Sequence, residues 1–141
     1  MKTMQITDGD LSIGLTSDYD MVRGVSKVAQ DIRCALLEPL GNDRFHPGWG
    51  SDLESFIARS VTYDTQMEVQ AEVNRVVGNY AAVQRDKIEA DMYSDADTRY
   101  STEEVVAAVS GVRVDTRTDS MSVTIGLTTV SGDAVVVSEV I

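Results

Sequence analysis

Cysteine, proline, tryptophan and histidine are all scarce in this chain: one Cys, two Pro, one Trp and one His in 141 residues. A lone Cys34 excludes an internal disulfide and a cysteine-based zinc site. Its setting in Asp31-Ile32-Arg33-Cys34-Ala35-Leu36-Leu37 reads as a packed helical thiol rather than a nucleophile. His46 has no second His or Cys with which to share a metal, and no phosphate-cradling glycine loop or nucleophile elbow occurs, so no metal and no cofactor is expected. Aromatic residues make up only 6%, which leaves Val, Ile, Leu and Met to fill the core. Cations are short as well, 12 Lys and Arg against 23 Asp and Glu, for a net charge of −11. That balance argues against nucleic acid as a partner, since gripping phosphates needs a basic face, and it suits a basic partner surface. No run of 18 apolar residues exists and the first ten residues have no signal-peptide core. The expectation is a chain kept in a cytosol-like compartment, with no membrane insertion.

What is present fits one domain spanning 1–141, with 43% apolar and 25% charged residues. Two short apolar strips flank Asp8-Gly9-Asp10, and Asp-Gly is a favoured hairpin turn, so 1–24 reads as an N-terminal hairpin arm. Residues 25–109 read as mainly helical. Val25, Val28, Ala29, Ile32 and Leu36 share one helix face, with Lys27, Asp31 and Arg33 mostly off it, and Pro39 stops that helix near Glu38. Ser51-x-x-Glu54 and Ser101-x-x-Glu104 are capping boxes that predict a helix from Ser51 and a short one through Val109. Between them Val69, Val73, Val76, Val77 and Tyr80 predict a helix from about Asp64 that frays at Gly78, with residues 83–92 as an irregular turn or extended piece. Residues 110–141 read as three antiparallel strands, because Met121, Val123, Ile125 and Leu127 alternate strictly with small polar residues. The predicted class is α+β: an N-terminal β-hairpin, then three or four helices packed on a small antiparallel C-terminal sheet.

Acids are abundant enough to form pairs by chance. Glu38, Asp43, Asp52 and Glu54 flank the Trp49 loop, and glycosidases use two carboxylates, but Asp52 and Glu54 sit where a helix start favours acids anyway. Asp91, Asp95, Asp97 and Glu103 lack the turn glycine of a calcium loop, with Arg99 in a ligand position, and read as a solvated acidic loop. The segment Arg44-Phe45-His46-Pro47-Gly48-Trp49-Gly50 is a rigid turn that sets the indole either into the domain's own core or against a partner. The last strand, from Ala134 to Ile141, is rich in Val and carries no Pro or Lys to blunt its edge. Such an edge invites a strand from another chain.

Taken in order, Asp8 to Leu11, then Gly24 with Val28, Gln30, Asp31 and Ile32, then Gly41, Arg44, Pro47, Gly50, Ser51 and Leu53, followed by a strand-rich end, resemble the baseplate wedge, or sheath-initiator, family of contractile phage tails. The family includes a type VI secretion baseplate subunit, and some members carry a lysozyme-like label. The chain departs from it at Val83-Gln84-Arg85, where a Glu-Pro-Arg triplet is typical and only Arg85 carries over. The resemblance implies a non-enzymatic virion protein of the tail baseplate, assembled in the host cytoplasm and present in a sixfold assembly. Arg44, Pro47, Trp49 and Arg85 would then face the wedge helical-bundle proteins. Val135, Val136, Val137, Val140 and Ile141 would take part in strand addition by the tail sheath protein, with tail tube or hub proteins as further partners. On that reading, deleting 135–141 leaves a folded protein that cannot start a sheath. The alternatives are a small lysozyme-like glycan hydrolase using Glu38 or Glu54, and a scaffold that self-associates through the Trp49 loop.

Overall fold

The computed structural model describes residues 1–14, 18–57, 59–60, 62–94, 96–117 and 120–140. Four two-residue strands build the N-terminal arm: β1 (Thr3–Met4), β2 (Ile6–Thr7), β3 (Asp10–Leu11) and β4 (Met21–Val22). β2 and β3 form the expected hairpin, with Asp8 and Gly9 both at positive φ, 52° and 83°. β1 pairs with β4 instead, folding the arm back on itself. Two helices follow, α1 (Val25–Leu37) and α2 (Tyr63–Tyr93), and then the meander β5 (Val106–Thr116), β6 (Met121–Thr129) and β7 (Ala134–Val140).

The domain is α+β, but among the described residues it has two α-helices and not three or four helices. Both capping boxes are diverted. Ser51 bridges Pro39 in parallel and its hydroxyl donates to the Leu36 carbonyl, so it is not free to cap, and the segment makes only a 3₁₀ turn over Leu53–Phe56. The Glu104 carboxylate does accept from Ser101 N at 3.1 Å, but it is buried and also holds Gly24 N and the Met1 ammonium. The box closes a turn, and Val106 enters β5 where a helix was predicted. Conversely α2 does not fray at Gly78. It runs on to Tyr93 because its buried stripe continues past Tyr80 through Gln84 and Asp91, two polar residues that hide the period.

The core lies between the helices and one face of the sheet. Val28, Ile32, Ala35 and Leu36 of α1 and Val69, Val73, Val76 and Val77 of α2 meet Met121, Val123, Ile125, Leu127, Val135 and Val137. Each of these side chains larger than Ala35 contributes roughly 1.5–3 kcal/mol of burial. Lys27 belongs to the interior too, against expectation. It pairs with Asp31, which accepts the Tyr80 hydroxyl at 2.9 Å, while Gln84 donates to that hydroxyl at 3.1 Å and to Glu104 O at 2.6 Å. Burial, then the Asp31 charge, pushes the Tyr80 phenol far above its ordinary value.

Two single-residue expectations also change. Cys34 is exposed, because it sits on the flank of α1 turned away from the core. Asp91 is buried, gripped by Arg99 from Nε at 2.9 Å and Nη2 at 2.5 Å, so the calcium-like run is not a freely solvated loop. Asp95 lies outside the described residues. Among the described residues no group of three or more His, Cys, Asp or Glu could hold a metal, and no helix is long and apolar enough to cross a membrane.

Candidate partner-docking surfaces

The Trp49 loop is folded by its own backbone first. Ser51 N donates to Glu38 O at 2.7 Å, Leu40 N to Ser51 O at 2.9 Å and Trp49 N to His46 O at 2.8 Å. Gly50, at φ 91°, lets the strands close: a Cβ there would lie 2.5 Å from Glu38 O and 2.8 Å from Pro39 O. Asp43 caps the tip, accepting Phe45 N at 2.8 Å and His46 N at 3.2 Å and facing His46 Nδ1 at 3.0 Å. The Phe45 amide first, then the His46 side chain, hold its carboxyl below the usual value.

α2 then staples the loop down. Arg75 reaches Gly48 O at 3.1 Å and Gly50 O at 2.8 Å, while Glu72 holds Arg75 at 2.6 and 2.8 Å and accepts Asp52 N at 2.8 Å. Asn79 adds a bond to Gly48 O at 3.2 Å. The side chain of Arg75 first, above all its hydrogen bonds, lowers the Glu72 pKa against the opposing effect of burial.

The loop thereby leaves Arg44 and Pro47 exposed, with Phe45 beside Arg44 85% exposed. Trp49 is half-buried and packs against the core, also lining a shallow groove with Ala82, Val83 and Asp86 of α2. Arg85 is exposed on α2 but is not among the residues that line this groove. The four residues named for the wedge therefore divide: Arg44, Pro47 and Trp49 share a loop, and Arg85 stands apart. Sequence reasoning missed Phe45, Glu72 and Arg75. An aromatic residue next to Arg44 in a Gly/Pro turn was the available signal for the first, whereas nothing local marks the other two. Of the candidate carboxylates, Glu38 accepts Asn42 Nδ2 at 2.5 Å, Asp52 accepts the Ser55 hydroxyl at 2.9 Å, and Glu54 is exposed.

The sheet has two unlike edges. In β5 two of the outward-pointing groups are met by α2: Gln70 Nε2 donates to Val112 O at 3.0 Å, and Gln84 Oε1 accepts Val106 N at 3.1 Å. β7 is the opposite edge. Thr129 N donates to Asp133 O across the β6–β7 turn, which fixes the alternation of the ladder. Leu127/Val135, Ile125/Val137 and Val123/Glu139 are then the bonded pairs, so the N–H and C=O groups of Val136, Ser138 and Val140 point outward. None of these bonds to another described residue.

Side chains on β7 alternate with the backbone. Val135 and Val137 are core residues, 2% and 0% exposed, so they serve this fold and not a partner. Deleting 135–141 would therefore not leave a folded protein, contrary to expectation. Val136 and Val140 are exposed on the outer face, and Ile141 lies outside the described residues.

A three-stranded meander on two helices, with a folded-back arm, is the class of domain these elements define. No family profile and no curated protein matches the chain. Among solved structures it is similar to a Geobacter sulfurreducens protein described as a candidate tail lysozyme, with a TM-score of 0.56, over 82% of this chain and 87% of that one, at 12% identity. At that identity the likeness is one of fold.

Proposed function

We propose that the chain is a non-enzymatic baseplate wedge protein of a contractile phage tail, which starts the sheath by lending its open sheet edge to a strand of the tail sheath protein. One observation carries the proposal: the outward groups of Val136, Ser138 and Val140 on β7 bond to no described residue, whereas on β5 Gln70 and Gln84 already occupy Val112 O and Val106 N. An unpaired row of this kind is the template for β-augmentation. The ordered motifs that resemble the wedge family, and the fold shared with a protein described in connection with tails, support the same setting. In that setting the exposed Arg44, Phe45 and Pro47 are the side chains that meet the wedge bundle, with Arg85 as a second, separate contact.

Val136→Pro tests the edge directly. The Val136 N–H points outward, so proline removes a donor to the added strand without removing a bond to β6. The expected result is a folded protein on which no sheath polymerises. Normal-length sheaths growing from this variant would sink the proposal. The name of the solved neighbour is the one observation that favours the hydrolase alternative. Peptidoglycan turnover by the purified protein, lost in Glu38→Gln or Glu54→Gln, would replace the structural reading with it.

A further inference from the structure

We propose that the groove bounded by β7, α1 and the β2–β3 hairpin receives the inward-facing side chains of the added strand, and that Cys34 and Leu37 form its floor and set which residues fit. The inference rests on the strand-addition reading and extends it from backbone pairing to side-chain selection.

The geometry assigns the occupant. Val135, Val137 and Glu139 turn toward the helix layer, so a strand paired to the outside of β7 turns every second side chain to that same layer. Immediately beyond β7 the helix layer is the outer flank of α1. There Arg33 reaches Glu139 at 2.8 Å, and next to it stand Cys34 and Leu37, the latter 49% exposed. Ile6 and Gly9 of the hairpin make the far wall, enclosing about 370 Å³. That wall is fixed to α1, because Gln30 accepts Ile6 N at 2.9 Å and donates to Met4 O at 2.9 Å.

Ile6, Cys34 and Leu37 give the groove an apolar strip, with Asp8, Gln30, Arg33 and Glu139 around it, so it fits an extended segment whose inward residues are small or medium and apolar. A second copy of this chain is the poorer occupant, since it would bring another net charge of −11 to the contact. The strand is therefore that of a different, less acidic chain.

Cys34 is the only thiol and lies in the proposed footprint, so it also reports on occupancy. Residual burial, then the Asp31 charge, holds it above the ordinary thiol value, and alkylation is best followed at mildly alkaline pH. With purified sheath protein of the same tail as the probe, iodoacetamide labelling of Cys34 should slow at least tenfold. Cys34→Trp and Leu37→Asp, both at exposed positions, should each weaken binding at least tenfold without lowering the melting temperature.

Undiminished labelling in the complex, or binding by both variants at the wild-type level, would overturn the groove assignment. If Val136→Pro alone abolishes binding, the groove assignment falls and strand addition stands. If Val136→Pro binds normally, or the wild type does not bind sheath protein, strand addition falls too. Cys34 protection that grows with the protein's own concentration, without sheath protein, would make the occupant a second copy and refute the proposal.

Discussion

Arg75→Met removes the staple that holds the Trp49 loop while keeping most of the apolar stem. The guanidinium makes two bonds to loop carbonyls, at 3.1 and 2.8 Å, and two to Glu72, at 2.8 and 2.6 Å. Bonds to charged groups are worth roughly 1.5–3 kcal/mol each when buried. The Arg75 side chain is 34% exposed, so water replaces part of what is lost, and Asn79 still holds Gly48 O. A net cost of about 2–3 kcal/mol follows once that screening is allowed for. With an unfolding entropy of roughly 2.1 cal/mol/K per residue, this corresponds to a melting point lower by about 7–10 °C.

Because Trp49 is the only Trp, fluorescence excited selectively at tryptophan, away from the five tyrosines, reads this loop alone: emission should shift to the red while far-ultraviolet circular dichroism stays unchanged. The pH dependence has a definite sign. Glu72 titrates below its ordinary value of 4.5 in the folded protein, so its contribution is present above that value and is lost as pH falls through the folded one. The variant should lose less stability than wild type over that acid window. A drop under about 2 °C at neutral pH, or an unmoved Trp49 emission, would refute the view that α2 holds the loop.

Gly50→Ala should cost about 3 kcal/mol or more, since it combines a disfavoured φ with contact against two carbonyls; thermal unfolding checks it, and a loss under about 1 kcal/mol would mean that the loop opens freely. Val137→Ala should cost about 2–3 kcal/mol in urea unfolding, whereas Val136→Ala should stay within about 0.5 kcal/mol. Equal effects at the two positions would contradict the assignment of inner and outer faces.

The readable parts of this fold are those where one residue decides locally. Asp8-Gly9 makes its turn from two residues able to adopt positive φ, and β6 keeps a two-residue period over its whole length. α1 ends at Leu37, two residues before Pro39. The misreadings share a different cause, in that a long-range partner took a group with an ordinary local use. Ser51 was claimed by the Leu36 carbonyl, Glu104 by Gly24 and Met1, and Asp91 by Arg99. Cys34 and Lys27 exchanged places for a related reason. Only the tilt of α1 against α2 and the sheet determines which flank is covered, and periodicity alone left Lys27 outside and Cys34 in. The open β7 edge was legible from its lack of Pro and Lys, but the two bonds that α2 makes to β5 were not, because they depend on glutamines in a distant helix.

The length of α2 and its hold on the β5 edge are the same fact. Gln70 and Gln84 are 14 residues apart, which on a helix is roughly 21 Å. Val106 and Val112, the β5 residues they meet, are six apart, or roughly 20 Å along a strand. Two amides on α2 are thus in register with two outward groups of β5 only if the helix continues unbroken through Gly78. A helix ending at Tyr80 would leave the Val106 amide bare and the β5 edge less occupied. A chain open on both sides can join copies of itself without limit, whereas a chain closed on one side can accept a single strand and then stop. Each β5 group that α2 occupies is one fewer for growth at that edge, and continuing α2 past a glycine leaves β7 the freer of the two.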